Sequence, residues 1–81
     1  MAPVRILIAD PLELVADGLR VRLAGANDLL VVAHAGTGNG VLEYLRDHVV
    51  DLILLEVSLP GMDGIDTMRS VRRLHPAVRV L

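Results

Sequence analysis

The stretch Val50-Asp51-Leu52-Ile53-Leu54-Leu55-Glu56-Val57-Ser58-Leu59-Pro60-Gly61-Met62-Asp63-Gly64 decides the fold. Its first half is a continuous apolar run of strand length, from Val49 to Val57, interrupted only by acids at positions 51 and 56. Continuous runs of this kind suit a strand covered on both faces, as in a parallel sheet, rather than the alternating pattern of a half-exposed one. Glu56 stands near the end of the run, and an acid there must reach solvent or a partner. The Pro60-Gly61 and Asp63-Gly64 pairs that follow are turn chemistry. In open α/β sheets the loops at the carboxyl ends of the strands carry ligand chemistry, so Glu56 is the first candidate site residue.

Further apolar runs lie at Val4–Ala9 and Leu29–Ala35, and another begins at Val78. Helical periods separate them. Leu12, Val15 or Ala16, Leu19 and Leu23 recur at steps of three and four, as do Val41 or Leu42, Leu45 and Val49, and then Ile65, Met68, Val71 and Leu74. The order β-α-β-α-β-α-β with short connections predicts an α/β fold with a parallel sheet and right-handed crossovers. Asp10-Pro11-Leu12-Glu13 reads as a capped helix start, with Asp10 as the cap and Pro11 in the first helical position. Asp63 begins the third helix, and Gly25, His48 and His75-Pro76 mark the stops. Gly36-Thr37-Gly38-Asn39-Gly40 follows the second strand, not the first, and lacks the spacing of a dinucleotide cradle; it reads as a flexible loop.

Composition narrows the function classes. The chain has 81 residues, 53% of them hydrophobic, with a mean hydropathy of +0.55 and one aromatic residue, Tyr44. No apolar run approaches the roughly 20 residues of a membrane span, and the start lacks a signal-peptide pattern. With no cysteine, disulfides and thiolate metal sites are excluded, and a cytoplasmic location is expected. The formal net charge is -2 and all eight basic residues are Arg, which gives no electrostatic footprint for nucleic acid. The late cluster Arg69, Arg72, Arg73 and Arg79 has Asp63 and Asp66 beside it and reads as a solvated face. His34, His48 and His75 have no metal-ligand spacing and read as structural.

Two carboxylates are expected to meet. Asp10 ends the first strand and Glu56 the third; on neighbouring strands, about 4.8 Å apart, both would face one crevice. Paired acids at such an edge can hold a hard cation such as Mg²⁺, which lets a phosphoryl group approach a carboxylate nucleophile.

These residues carry a resemblance. VRILIAD at 4–10, Leu14-Val15-Ala16-Asp17-Gly18-Leu19, Asp51-Leu52-Ile53-Leu54-Leu55, Leu59-Pro60-Gly61-Met62-Asp63-Gly64 and Leu74-His75-Pro76 resemble a two-component response-regulator receiver domain of the NarL/FixJ-like subfamily. The resemblance implies a flavodoxin-like (CheY-like) fold with strand order 2-1-3-4-5, a regulatory module instead of an enzyme, and residues 1–81 as a receiver domain incomplete after the start of the fourth strand. It also implies that Glu56 stands at the phosphoacceptor position, where the family has Asp. Asp10, Glu56 and the backbone carbonyl of Ser58 would be the metal-binding set, and Ser58, Pro60, Gly61, Asp63 and Gly64 the adjoining loop.

Departures from the family pattern matter as much as the match. Pro11 stands where the family has a second acid. Glu56 is one methylene longer than Asp, and about 1 Å of misplacement costs on the order of a hundredfold in a reacting geometry. The family's switch hydroxyl and its Lys would both lie beyond Leu81, and the chain has no Lys. The expectation is therefore no resident cofactor, weak or absent Mg²⁺, and an atypical regulator that works without ordinary phosphorylation. Output would run through a homodimer and a downstream DNA-binding domain of a longer protein; no residue names a cognate histidine kinase. The alternatives are a small-molecule-sensing pseudo-receiver and, less favoured, a nucleotide-binding α/β domain.

Overall fold

The computed structural model describes residues 2–81. Strands β1 (Val4–Ala9), β2 (Leu29–Ala35), β3 (Leu52–Leu55) and β4 (Arg79–Val80) alternate with helices α1 (Glu13–Leu23), α2 (Gly38–Asp47) and α3 (Gly64–Leu74). The strands form one sheet in the order β2-β1-β3-β4, and every pairing is parallel. This is the expected α/β architecture, with β1 at the centre. Ile6, Leu7, Ile8 and Ala9 are all buried, because a central parallel strand has a layer on both faces.

The two layers differ. Leu7, Ala9, Ala35 and Ile53 point to the side where Val41 and Leu45 of α2 and Val71 of α3 complete a closed cluster. Ile6 and Ile8 point the other way, to Ala16 of α1, with Leu19, Leu23, Leu29, Val31, Leu52 and Leu54 partly buried around them. One helix serves that second side against two on the first.

The structure corrects several local readings. Asp10 is not the cap of α1: the helix begins at Glu13 after Leu12, with no side-chain cap, and the Asp10 carboxylate instead accepts the Leu12 N–H at 2.8 Å. An acid two residues before a free N–H closes an Asx turn, which competes with capping. Leu12 is accordingly 62% exposed and lies off the buried helix face. Residues 38–40 are not a loop but the first turn of α2, started by Thr37, whose Oγ1 accepts from Gly40 N at 2.9 Å; the cap outweighs the glycines' low helix propensity. β3 is shorter than its apolar run. Val49 and Val57 are exposed, and the Val57 carbonyl already serves the turn, accepting from Leu59 N and Gly64 N. The buried face of α3 is Gly64, Thr67 and Val71, whereas Ile65 and Leu74 are exposed.

Candidate functional site

The carboxyl ends of β1 and β3 bring Asp10 and Glu56 side by side. Ala9 and Leu55 are register partners, so the next residue on each strand is the first past the sheet. The backbone keeps them there: Glu56 N–H donates to the Ala9 carbonyl at 2.8 Å, and Asp10 N–H donates to the Ala35 carbonyl of β2 at 3.0 Å. Both acids line one crevice of about 220 Å³, with Ile8, Val15, Leu19, Leu54 and Leu81 forming much of its apolar wall.

Each carboxylate is tied to its own loop. Glu56 Oε1 accepts the Ser58 N–H at 3.2 Å, and Asp10 Oδ1 accepts the Leu12 N–H. Neither is in an ion pair among the described residues, where the pairs are Arg20–Asp17 and Arg69–Asp66. The remaining lone pairs of both acids are therefore available to a ligand carrying positive charge or N–H donors.

The expected loop residues divide by role. Gly61 has φ of 75°, a left-handed conformation that glycine adopts without steric cost. Asp63 caps α3, its Oδ1 accepting from Asp66 N at 2.9 Å, which is the turn role expected of it. Gly64 is packed against Glu56 and Val57: a β-carbon there would stand 2.7 Å from the Glu56 carbonyl oxygen. Ser58 and Pro60 are exposed and are not part of the crevice wall. Of the three expected cation ligands, Asp10 and Glu56 line the crevice. No group of three or more His, Cys, Asp or Glu side chains converges among the described residues, so two carboxylates are the whole anionic set.

Of the histidines, His48 stacks on Tyr44 with ring centroids 4.0 Å apart, and its Nδ1 lies 3.0 Å from the Tyr44 carbonyl oxygen. Its role is structural, at the end of α2. His34 is different: its Nε2 lies 2.6 Å from the Asp10 carbonyl oxygen, a contact that sequence reasoning missed. The only available signal was its place one residue before the end of the second apolar run.

The chain is similar to known proteins. The chain is 33% identical over 78 residues to the response regulator GacA of Pseudomonas viridiflava, covering 96% of this chain and 36% of that protein. It is 30% identical over 78 residues to the response regulator UvrY of Escherichia coli K12, with the same coverage. The chain thus spans 36% of the length of these curated relatives. Among solved structures, Salmonella typhimurium RcsB superposes with a TM-score of 0.90 at 23% identity, covering 99% of this chain and 42% of that one. The receiver domain of AraT from Geobacillus stearothermophilus superposes with a TM-score of 0.84 at 31% identity, covering 95% and 60%. The family model of the response regulator receiver domain matches residues 6–81. With its parallel sheet and acid-bearing carboxyl edge, the chain belongs to the response regulator receiver-domain family.

Proposed function

We propose that this receiver domain belongs to an atypical transcriptional regulator and works without ordinary aspartyl phosphorylation. The observation that carries the reading is the pairing of one Asp and one Glu across the crevice, with Pro11 directly after Asp10. Pro11 supplies no carboxylate, so a cation bridging the acids would lack a third anionic ligand and bind weakly. Glu56 reaches one methylene further than Asp would, into the space that an incoming phosphoryl group needs. Its carboxylate is held back on the Ser58 N–H and carries one negative charge, against about −1.5 to −2 for a phosphoryl group on a hydroxyl side chain. In this reading Glu56 supplies a fixed, partial version of the charge that phosphorylation would add.

The output is then association with a second copy and action through a DNA-binding domain elsewhere in a longer protein. Relatives support this in kind: a 34% identical Bacillus subtilis relative, YhcZ, is described as a transcriptional regulatory protein, and RcsB has been solved as dimers bound to DNA.

Incubation with acetyl phosphate and Mg²⁺, followed by intact-mass measurement, tests the reading. The expected result is an unmodified chain whose oligomeric state is the same before and after treatment. Stoichiometric acyl phosphate on Glu56 would overturn the claim of phosphorylation independence. A monomer at all concentrations would remove the association step.

A further inference from the structure

The pairing of β2 with β1 breaks between Ile6 and Leu7: Ile6 is opposite Val31, whereas Leu7 is opposite Ala33. Val32 is therefore an extra residue, a β-bulge. Bulges re-aim the side chains that follow them, because strand residues alternate faces and one inserted residue reverses the alternation. Before the bulge, Leu29 and Val31 face α1. After it, Ala33 and Ala35 face α2 and α3, and His34, opposite Ile8, faces α1. An unbroken strand would have put His34 on the α2 side.

That reversal brings His34 to Asp10. Its Nε2 lies 2.6 Å from the Asp10 carbonyl oxygen, in a part-buried position. A carbonyl only accepts, so Nε2 carries the proton, which defines the ring's tautomer when neutral. The next residue of the same strand, Ala35, accepts the Asp10 N–H through its carbonyl. Both backbone polar groups of Asp10 are thereby held by consecutive residues of β2. The following Pro11 has no N–H and a fixed φ, so the orientation of the Asp10–Pro11 peptide sets where the Leu12 N–H lies, and that N–H holds the Asp10 carboxylate.

We propose that His34 is a positioning residue for Asp10: the bulge at Val32 delivers its imidazole N–H to the Asp10 carbonyl, which fixes the direction of the carboxylate facing Glu56. This rests on the reading of the Asp10–Glu56 crevice as the ligand site.

The test compares the 81-residue chain with His34→Leu, His34→Gln and His34→Asn by NMR. Gln can place an N–H near the position of Nε2; Asn is too short, and Leu has no donor. The expected signature of the unmodified chain is a His34 ring protonated at Nε2 and hydrogen-bonded through it. In His34→Leu and His34→Asn the Asp10 carboxyl and Leu12 amide resonances shift, and Leu12 amide exchange speeds up roughly fivefold, the loss appropriate to one hydrogen bond. His34→Gln restores both, which a merely space-filling role for the ring would not produce. Unmoved Asp10 and Leu12 signals in His34→Leu, or in His34→Asn should the Leu variant not fold, overturn the proposal. Mn²⁺ added as a paramagnetic probe separates the two claims. Broadening at both Asp10 and Glu56, weakened several-fold in affinity by His34→Leu and recovered by His34→Gln, supports both. No broadening at Glu56 in the unmodified chain counts against the crevice as a cation site, while the Leu12 and Asp10 signals still decide the role of His34.

Discussion

A β-carbon at Gly64 would lie 2.6 Å from Val57 Cα and 2.7 Å from the carbonyl oxygens of Glu56 and Val57. None of those atoms is the far end of a flexible side chain, so the start of α3 would have to move away from the loop that carries Glu56. Gly64→Ala is expected to destabilise the chain by about 1–3 kcal/mol, as overpacking of a fixed backbone does, read from the urea midpoint. Thr67 is the fully buried polar side chain of the core. It is tolerated because its Oγ1 donates to the Asp63 carbonyl at 2.8 Å. Thr67→Val keeps the shape and removes that donor; since the same carbonyl also accepts from Thr67 N–H, the expected cost is only about 1 kcal/mol, by the same measurement. This position also shows where a pattern of apolar residues misleads. Counting Ile65, Met68, Val71 and Leu74 turns the helix away from its true inner face, because a hydroxyl satisfied by its own helix packs as well as a methyl group.

Elements were legible where burial set their period and less so where caps set their ends. The apolar runs that became β1, β2 and β3 needed no more than their length and composition. α2 is the contrary case: Gly38 and Gly40 look like loop residues until Thr37 is recognised as the cap, a hydrogen bond that spacing alone does not distinguish from a turn. The same device is plain at α3, where Asp63 precedes Asp66 by three residues. Asp63→Ala should cost about 1 kcal/mol, and Thr37→Ala about the same, with thermal unfolding followed by circular dichroism as the check. Asp63→Asn should retain most of the stability, since an amide oxygen can still accept the Asp66 N–H. The meeting of Asp10 and Glu56 could be foreseen, because it follows from strand order and strand ends. The contact of His34 with Asp10 could not, because an extra residue inside Leu-Leu-Val-Val-Ala-His-Ala leaves no mark on an already continuous apolar run.

At the scale of the whole molecule, the sheet is covered unevenly. The side served by α1 alone leaves open crevices at both ends of the strands, and Leu81, which lines both, is 74% exposed. Both of its backbone groups are paired with β3, Leu81 N–H donating to the Ile53 carbonyl and Leu55 N–H to the Leu81 carbonyl, so the side chain is presented in a fixed place. If association uses this side, Leu81→Asp should lower the weight-average mass in concentration-dependent light scattering while leaving the circular dichroism spectrum unchanged. An equal mass for both chains would place the contact elsewhere. Such a substitution leaves every backbone bond of the edge intact, which makes it a cleaner probe than removal of the strand.

The extra residue at Val32 has a consequence for how this strand is matched with others. Its two halves are out of step by half a pleat. Laying it residue for residue against an unbulged counterpart therefore pairs inward-facing positions with outward-facing ones from Ala33 onward. Aligned in that way, His34 is compared with a side chain on the opposite face of the sheet, and its neighbour across the gap at the first acid disappears from view.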